Sequence, residues 1–557
     1  MIEIFLIEKE KEGYYELNFY NSPALAYYIQ KIPSARFIMR DRCWRVDLQH
    51  RRFLKEFCEY AVKRGLASGV HRVDDRSEIL GFPERMPDLQ YPITHLKLPP
   101  FDYQRQGIQY MIEHKRCFNG DDMGLGKTMQ SIAAVSIARA YPCLVVAPAT
   151  MKVTWQREFQ RFIGKQAIIL SDANKDNWHK HFETGTCNVF ITNYESVKKY
   201  FVSRVRGRTT VKNIVLDKRA GMFKSVIIDE AHRCCNTTAL WSLYLEAICA
   251  NKEYIWLLTG TPIVTSNEDL IQQLRIMRRI DDFGGAARFR ERYCQGKDKS
   301  SNLYELHFRL WQSCYFRRDK SLALKDLPEK TRQYLTVDID NRQEYEFAEN
   351  DLIRYLMEYE SASDAKLRSA ARATAMVQIN HLRQISARGK MKEAISFIHD
   401  VIDGGDKLIV FAFHKTVIAD IMKAFPGTVT VTGSDSQEKK QAAIDKFQNN
   451  PDCRLIALNY KSGGVGITLT AASRTLFIEF PWTASDCEQA ECRAHRNGQK
   501  NAVNCYYLLA RNTIDERILE IIQKERDDSS VVTGADNNIE ERIVDMALRH
   551  YKDKHKI

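Results

Sequence analysis

Residues 119–128 read Asn-Gly-Asp-Asp-Met-Gly-Leu-Gly-Lys-Thr, and this stretch decides the fold because it is typical of a loop that holds a nucleoside triphosphate. Gly124 and Gly126 allow the backbone to approach phosphate oxygens closely, so that successive N–H groups point at them. Lys127 is expected to reach the β- and γ-phosphates, and Thr128 to ligate Mg²⁺. A helix predicted from Thr128 adds the positive end of its dipole to the same anion. The sequence therefore predicts a nucleoside triphosphate and Mg²⁺ as cofactors.

One position departs from the general phosphate-loop pattern, which has a glycine where this chain has Asp121. The alternative interpretation is a glycine-rich turn between a strand and a helix that binds no ligand. We favour the phosphate loop because an apolar helical pattern follows the Gly-Lys-Thr triplet, as phosphate binding requires. The strand that leads into the loop, at residues 115–119, is more polar than a central strand usually is, so its place in the sheet is an open question.

An acidic pair, Asp229 and Glu230, ends a second apolar strand. A triphosphatase needs one carboxylate to hold Mg²⁺, here Asp229, and one to position the attacking water, here Glu230. Such a pair seen alone is more often a surface edge. Its place after a phosphate loop, in a region where strands and helices alternate, favours the catalytic interpretation.

Charge that develops as the triphosphate breaks is neutralised by arginine supplied from elsewhere in the chain. Residues 489–499, Gln-Ala-Glu-Cys-Arg-Ala-His-Arg-Asn-Gly-Gln, offer Arg493 and Arg496 for this role. Their i, i+3 spacing predicts that both lie on one face of a helix. The alternative is a solvated, charged helix face.

Composition indicates a globular protein of several domains, with 557 residues of which 44% are hydrophobic. The formal charge of +12 suits a polyanionic partner, although solubility alone could explain it. The fourteen cysteines are scattered, without a C-x-x-C pair or zinc spacing, which predicts reduced thiols. The amino terminus resembles a strand rather than a signal peptide, and no run reaches the length of a membrane span. We expect an intracellular monomer in a reducing compartment, which is the cytoplasm of a bacterium or a virus-infected cell, or the nucleus.

The chain is expected to form an N-terminal domain, two α/β halves and a short tail. Apolar strands alternate with helical patterns in both halves, which is the signature of parallel sheets wrapped by helices. Residues 1–92 are predicted to form a small α+β substrate-recognition domain. The first half is predicted at residues 93–335 with a helical insertion at about 264–330, and the second half at residues 336–525 with a helical insertion at about 340–395. The tail is residues 526–557 and includes a predicted polar helix at 539–551.

The ordered motifs resemble those of the SWI/SNF family of superfamily-two helicase-like ATPases, over about residues 96–520. Residues 101–107 are similar to the adenine-reading segment of that family, with Gln104 as the reader, and the resemblance implies that the nucleotide is ATP. Residues 121–128 are similar to its D-E-M-G-L-G-K-T loop, with Asp122 in place of glutamate, and this similarity accounts for the missing glycine. Residues 229–232, Asp-Glu-Ala-His, match its DEAH box.

The remaining motifs extend the same resemblance. Residues 258–263, Leu-Thr-Gly-Thr-Pro-Ile, are similar to the coupling motif of the family. Residues 462–469 are similar to A-G-G-x-G-L-N-L, which implies that Gly466 lies at the nucleotide, although the motif departs at three positions including Ser462. Residues 489–499 fit Q-A-x-x-R-x-x-R-x-G-Q throughout.

The resemblance implies two RecA-like parallel-sheet lobes with DNA lying across both. The implied contacts are to the DNA backbone and independent of sequence, as movement along any sequence requires. The segments are 148–150, 192–194, 259–261, 414–415 and 461–466, and the contact residues are Thr150, Tyr194, Thr261, His414, Lys461 and Ser462.

Three shorter matches resemble the annealing-helicase (HARP-containing, SMARCA-like) branch of the family. They are residues 292–294, residues 316–319 followed by 327–330, and residues 478–483. Residues 1–92 resemble a diverged HARP-like module. In that interpretation three arginines and two aromatic side chains contact DNA junctions: Arg40, Arg42, Arg45, Tyr14 and Trp44. The alternative is a small β-rich domain in which both aromatic residues belong to the core.

The leading hypothesis is an ATP-dependent translocase on double-stranded or forked DNA that remodels forks or anneals strands in DNA repair or replication. A strand-separating DNA or RNA helicase is the main alternative, although no wedge element can be read from residues 264–395. A non-catalytic DNA-binding scaffold ranks lower because all five expected catalytic residues are present: Lys127, Asp229, Glu230, Arg493 and Arg496.

Overall fold

The computed structural model describes residues 2–9, 13–19, 22–39, 42–74, 88–93, 96–260, 262–263, 266–295, 300–324, 326–361, 365–460, 467–528, 544 and 547–548. The chain divides into two compact units. The first contains the described residues up to 122 together with 126–319, and the second contains 123–125 together with the described residues from 320 onwards. Among the described helices, none has the length and apolar character needed to cross a bilayer.

The first unit begins with a mixed five-stranded sheet in the order β3-β4-β2-β1-β5. Only β1 and β5 are parallel neighbours. Its elements are β1 (Glu3–Lys9), β2 (Tyr14–Phe19), α1 (Pro23–Ile29), β3 (Arg36–Ile38), β4 (Cys43–Asp47), α2 (Arg51–Lys63) and β5 (Gly69–Asp74). Leu54, Phe57 and Ala61 recur at helical spacing on α2 and are buried in the core of this sheet.

A parallel seven-stranded sheet forms the centre of the first unit, in the order β14-β6-β13-β12-β7-β9-β8. Its strands are β6 (Arg116–Asn119), β7 (Cys143–Ala147), β8 (Ile168–Ile169), β9 (Val189–Asn193), β12 (Ser225–Asp229), β13 (Tyr254–Leu258) and β14 (Tyr315–Phe316). Every residue of β7, β12 and β13 is buried, as expected for central strands covered on both faces.

The described helices of this sheet are α3 (Asp102–His114), α4 (Lys127–Ile137), α5 (Lys152–Ile163), α6 (Lys180–Glu183), α7 (Val197–Phe201), α8 (Leu240–Cys249), α9 (Asp269–Ile276), α10 (Gly285–Tyr293) and α11 (Leu303–Ser313). A separate antiparallel hairpin, β10 (Val202–Val205) and β11 (Ile214–Leu216), lies between α7 and β12. The sequence does not predict this hairpin. Nor does it predict β14, which lies within the expected helical insertion and adds an edge strand beside β6.

The polar strand β6 lies inside the sheet, between β13 and β14, which answers the question left by its sequence. Arg116 stands at its start and donates to the carbonyl of Lys252 at 2.7 Å. Asn119 at its end is fully buried, and its side-chain amide donates to Gln130 Oε1 at 3.3 Å. The polar groups therefore have partners, so the strand is accommodated without unsatisfied donors at either end.

The second unit contains a parallel six-stranded sheet in the order β15-β20-β19-β16-β18-β17. Its strands are β15 (Lys330–Val337), β16 (Leu408–Ala412), β17 (Val429–Val431), β18 (Leu455–Asn459), β19 (Arg474–Phe477) and β20 (Val503–Ala510). Its described helices are α12 (Lys320–Ala323), α13 (Arg342–Ser361), α14 (Ala365–Gly389), α15 (Met391–Asp403), α16 (Lys415–Ala424), α17 (Gln437–Asn449), α18 (Ala484–Glu491) and α19 (Ile514–Asp528).

The domain boundary predicted at residues 335 and 336 falls inside β15. All eight residues of that strand pair with β20, so hydrogen bonding assigns the whole strand to the second sheet. Sequence reasoning placed the boundary late because β15 follows a long helical segment and precedes another. The polar helix predicted at 539–551 falls almost entirely on residues outside the described part of the chain.

Candidate nucleotide-binding and catalytic site

The phosphate loop connects β6 to α4, which begins at Lys127, one residue earlier than predicted. Gly124 and Gly126 have φ of 93° and 78°, a left-handed conformation that favours glycine. A Cβ atom at Gly126 would lie 2.5 Å from Gln104 Nε2, so a side chain there would displace the Gln104 carboxamide. The ammonium of Lys127 lies 2.6 Å from the carbonyl oxygen of Asp121 and is thereby held at the mouth of the loop.

Gln104, the predicted adenine reader, lies on α3 beside this loop and is buried. Its Oε1 accepts a hydrogen bond from the backbone N–H of Phe101 at 3.1 Å, and its Nε2 donates to the hydroxyl of Tyr103 at 3.4 Å. The rings of Phe101 and Tyr103 are stacked with centroids 5.9 Å apart. The carboxamide is therefore fixed in orientation close to the glycine backbone.

Asp121, at the position where other phosphate loops have glycine, is fully buried and ion-paired with Arg318. One carboxylate oxygen accepts from Arg318 Nε at 2.9 Å and from the Arg318 backbone N–H at 3.0 Å. The other accepts from the Arg318 guanidinium and from Gln130 Nε2 at 2.8 Å. The departure from the general pattern is thus a carboxylate that binds an arginine 197 residues further along the chain.

A second pair lies beside the first. Asp122 Oδ1 accepts from Arg317 Nη2 at 2.9 Å, with both side chains partly exposed. The backbone joins the same segments, since Gly120 N–H donates to Phe316 O at 2.7 Å. Sequence reasoning noted residues 316–319 only as a family resemblance and missed their partners, because separation along the chain carries no signal of contact.

The acidic pair lies at the end of β12. Asp229 is buried, and Trp155 Nε1 donates to its Oδ2 at 2.8 Å. The Glu230 backbone N–H donates to Asp229 Oδ1 at 3.0 Å, and Glu230 itself has φ of 54°. Glu230 is thus a left-handed residue directly after a buried strand, where it ends the extended conformation of β12.

Electrostatics set the acidic pair apart from an ordinary surface edge. Burial raises the pKa of the Asp229 carboxyl to about 7, and the negative charge of Glu230 acts in the same direction. The hydrogen bond from Trp155 and the charge of Lys127 oppose this rise. A buried carboxyl with this pKa is readily converted to its ionised form by a nearby cation, so the site suits a divalent metal ion.

His232 connects the acidic pair to the segment that follows β13. Its Nδ1 lies 3.1 Å from Thr259 Oγ1 and 3.5 Å from Glu230 Oε2. Thr259 is buried and is the second residue of the predicted coupling motif, and its N–H donates to Asn119 O at 3.2 Å. One imidazole ring therefore lies between Glu230 and this segment.

Arg493 and Arg496 belong to the second unit, and the prediction that they lie on one helical face is wrong. The helix α18 ends at Glu491, and both arginines lie in the turns that follow. The carbonyl of Arg493 accepts a hydrogen bond from the N–H of Leu469 at 2.9 Å, so it is not available to continue a helix. Both side chains nevertheless converge, since Arg493 Nη1 and Arg496 Nη1 lie 3.5 and 3.1 Å from Ile467 O.

A buried network holds the end of α18 just before these arginines. Glu491 is fully buried and accepts from Lys330 Nζ at 2.6 Å, from Arg332 Nε at 2.7 Å and from the Tyr507 hydroxyl at 2.7 Å. Burial alone would raise the pKa of Glu491, but the Arg332 hydrogen bond and the charge of Lys330 lower it to about 2. Glu491 is therefore ionised, and it ties α18 to β15.

Next to this network, Lys320 donates to the backbone carbonyl of His495, and its Nζ lies 3.2 Å from His495 Nδ1. His495 Nε2 lies 2.8 Å from Pro328 O, to which it donates. Burial and the charge of Lys320 lower the pKa of His495 to about 4, so the ring is neutral. Sequence reasoning missed Glu491 and His495 as partners of residues 320–332, although both stand inside the motif that identified the arginines.

The predicted DNA-contact residues are only partly described. Thr261, Lys461, Ser462 and the nucleotide-binding candidate Gly466 lie outside the described residues. Thr150 is half-buried in the turn after β7. His414 is also half-buried, with its Nδ1 2.5 Å from Glu479 Oε1.

Tyr194 differs from the expectation. Its ring is 2% exposed, and its hydroxyl donates to the carbonyls of Asp229 and Glu230. The side chain therefore supports the backbone of the acidic pair and is not exposed to a ligand.

Two of the five N-terminal residues considered for DNA contact, Tyr14 and Trp44, are buried. Arg45 stacks 4.4 Å over the Tyr14 ring. Arg42 donates to the carbonyl of Glu291 at 2.8 Å within the first unit. The core alternative is therefore correct for the two aromatic residues, and Arg40 lies outside the described residues.

A parallel α/β unit with a phosphate loop and an acidic pair, together with a second parallel α/β unit that presents paired arginines, defines a two-lobed P-loop nucleotide-binding protein. The chain belongs to the SNF2-related family, because the model of the SNF2-related domain matches residues 103–391, which is more than half of its length. The model of the helicase conserved C-terminal domain matches residues 389–498.

Individual relatives agree with the family. The chain is 29% identical over 444 residues to the SWI/SNF-related matrix-associated actin-dependent regulator of chromatin subfamily A-like protein 1 of Xenopus tropicalis, with 76% of this chain and 44% of that protein covered. It is 28% identical over 504 residues to the human DNA annealing helicase and endonuclease ZRANB3, with 86% and 43% covered. The chain thus spans less than half the length of these two relatives.

Among solved structures, the chain is similar to the Sulfolobus solfataricus SWI2/SNF2 ATPase core in complex with dsDNA. The TM-score is 0.38 at 22% identity, and the match covers 84% of this chain and 98% of that one.

Proposed function

We propose that this protein is an ATP-dependent translocase on double-stranded or forked DNA that remodels forks or anneals strands in DNA repair or replication. Membership of the SNF2-related family supports this proposal, as does the similarity to proteins whose names describe DNA annealing helicases. A formal charge of +12 suits the polyanionic substrate.

The observation that carries the proposal is the acidic pair at the end of β12. A scaffold that only binds DNA has no need for a buried carboxyl with a raised pKa beside a phosphate loop. Here hydrogen bonds from Trp155 on α5 and from Tyr194 after β9 fix the acidic pair, and Lys127 contributes a positive charge to it. This arrangement is expected of a working hydrolase.

Within the first unit, Lys127 and the loop N–H groups would bind the triphosphate, and Gln104 would recognise the base. Thr128 and Asp229 supply hydroxyl and carboxylate oxygens, the ligands that Mg²⁺ prefers. The metal ion would neutralise negative charge on the phosphates as they separate. Glu230 would orient the attacking water and transmit the state of the site to Thr259 through His232.

Within the second unit, Arg493 and Arg496 would neutralise charge in the transition state. Backbone groups at Thr150 and His414 would contact DNA phosphates without reading sequence. Such contacts suit movement along any DNA.

The first experiment measures ATP hydrolysis with single-stranded, duplex and forked DNA at several salt concentrations. We expect stimulation by duplex or forked DNA. Lys127→Ala and Arg496→Ala should abolish stimulated hydrolysis and leave DNA binding largely intact, because neither side chain is assigned to DNA. The matched controls are Lys180→Ala and Arg511→Ala, which remove exposed cations from the same two units. Hydrolysis retained in Lys127→Ala or Arg496→Ala would show that the site is misassigned.

A second experiment compares strand displacement with strand annealing on forked substrates. Efficient strand displacement without duplex-stimulated hydrolysis would contradict a duplex translocase and favour the strand-separating helicase.

Residues 1–92 are proposed to recognise forks through exposed rings rather than through Tyr14 and Trp44. Tyr27 and Phe37 are 59% and 43% exposed, and Lys31 Nζ lies 4.3 Å from the Tyr27 ring centroid. Aromatic rings beside cations stack on bases of unpaired strands. Tyr27→Ala with Phe37→Ala should lower stimulation by forks and not by duplex DNA. Equal losses on both substrates would contradict fork recognition by this domain.

A further inference from the structure

The hairpin β10–β11 projects from the first unit between α7 and β12, and its framework is built from its own hydrogen bonds. Val202 pairs with Leu216 and Val205 with Ile214, with a bulge between Val202 and Arg204. The Arg206 N–H closes the loop by donating to Asn213 O at 2.9 Å. The arm therefore has a defined shape rather than being an open loop.

The tip of the hairpin is also braced. The Asn213 side chain donates to Arg208 O at 2.8 Å, and its backbone N–H donates to Thr210 O at 2.9 Å. Gly207 has φ of 72°, which allows the tight reversal next to these bonds. At the base, Ile214 is buried, so one side of the arm is anchored in the unit.

The other side of the arm carries only positive charge. Residues 202–216 contain four cations and no acidic residue, in a chain whose whole formal charge is +12. All four side chains are exposed, and none forms an ion pair with a described residue. They are Arg204, Arg206, Arg208 and Lys212. Exposed cations elsewhere in the unit commonly face a carboxylate, as Lys115 faces Glu253 at 2.9 Å.

We infer that the hairpin β10–β11 is a nucleic-acid arm whose four cations contact the phosphate backbone of duplex DNA. This inference rests on the proposed function. A braced hairpin presents its cations with little loss of backbone freedom on binding, and guanidinium groups match phosphate geometry.

The chemistry of the arm favours backbone contact over strand separation. An element that divides strands or stacks on unpaired bases presents an aromatic or bulky apolar side chain at its tip. The tip here is Arg-Gly-Arg-Thr-Thr at residues 206–210, and residues 202–216 contain no aromatic residue. Arginine and threonine side chains donate hydrogen bonds to phosphate oxygens and carry no sequence information.

The position of the arm in the chain fits this role. It follows the segment 192–194, which is one of the proposed DNA contacts, and it precedes β12, which ends in the acidic pair. DNA bound by the arm would therefore contact the same segment of chain, between β9 and β12, that leads to the catalytic carboxylates.

The test is the salt dependence of binding to a short blunt duplex, from about 50 to about 200 mM salt. The logarithm of the binding constant falls with the logarithm of salt concentration by about 0.9 for each phosphate contact. The variant Arg206→Gln with Arg208→Gln should therefore reduce this slope by about 1.8. The matched control is Arg278→Gln with Arg288→Gln, which removes two exposed arginines of the same unit that have no ion pair with a described residue.

A reduced slope in the hairpin variant and an unchanged slope in the control would support the inference that the arm contacts DNA phosphates. If the hairpin variant kept the slope of the unaltered protein, DNA contact by the arm would be overturned. The proposed function would stand, and the arm would then be expected to bind an acidic protein surface. Equal reductions in both variants would also overturn DNA contact by the arm, because the effect would then follow net charge alone. Failure of the unaltered protein to bind duplex DNA, or to hydrolyse ATP faster with it, would overturn the proposed function itself.

As a second readout, the DNA concentration needed for half-maximal hydrolysis should rise in the hairpin variant, with the rate at saturating DNA unchanged. Since the altered side chains are exposed and neither is assigned to nucleotide binding or catalysis, hydrolysis without DNA should match that of the unaltered protein. A lower saturating rate with an unchanged half-maximal concentration would contradict a binding role.

Discussion

Replacing Asp121 by glycine restores the residue that phosphate loops generally have at this position, and we expect it to damage the protein. Asp121 is fully buried and neutralises Arg318, which is itself only 7% exposed. Removing one partner of such a buried pair leaves an uncompensated charge and costs about 3–5 kcal/mol. In the variant the guanidinium would keep only its bond to Gln130 Oε1 at 2.8 Å.

The control is Asp122→Ala, which breaks the neighbouring pair with Arg317. Those side chains are 22% and 23% exposed, so water can replace much of the lost interaction. Its cost should be about 1 kcal/mol, as for other solvent-accessible pairs. A further variant, Asp121→Gly with Arg318→Met, removes both charges and should recover part of the loss, because apolar groups of similar volume replace buried ion pairs well.

The first assay is urea unfolding of the full chain, in which fluorescence reports the unfolding of the first unit. The second assay measures the KM for ATP. Asp121→Gly should lower the urea midpoint far more than Asp122→Ala, and it should raise KM because the loop loses its anchor. Equal midpoints for Asp121→Gly and Asp122→Ala would refute the reasoning. A double variant no more stable than Asp121→Gly would show that the lost energy does not come from an unpaired arginine.

Two further changes probe the packing of the first unit and the pH response of the second. Gly107→Ala places a Cβ atom 2.1 Å from Gln130 Oε1 on the same ion-pair network, so we expect a lower urea midpoint and a higher KM for ATP. Gly221→Ala serves as the control for glycine replacement, because Gly221 has open space around it and a backbone conformation that alanine can adopt. His495 has a pKa lowered to about 4 against 6.5 when unfolded, so its stabilising contribution is present above pH 6.5 and is lost as the pH falls towards 4. The free energy of unfolding should fall between pH 7 and pH 5, and His495→Gln should reduce this fall by only about 1 kcal/mol because the ring is partly exposed. If urea unfolding at the two pH values showed the same fall in the variant and in the unaltered protein, the assignment of a neutral His495 in the folded protein would be contradicted.

Local sequence patterns are sufficient to predict some elements of this fold. The strands β7, β12 and β13 were predictable because fully buried parallel strands read as continuous apolar runs. The phosphate loop was predictable because its backbone geometry needs glycine at defined positions. The hairpin β10–β11 was not, since its short strands combine polar and apolar residues and end in a tip without a strong turn signal.

The sequence by itself determined the family of this protein and which residues are proposed to bind phosphate, hold a metal ion and supply arginine, because such motifs depend on residue type and local spacing. Only the tertiary structure decided why Asp121 stands in the phosphate loop, how Glu491 holds the arginine segment, and that Tyr194 supports the acidic pair from within. These facts depend on contacts between residues far apart in the chain. The free energy of such contacts comes from burial and complementary charge, which exist only once the sheets have formed.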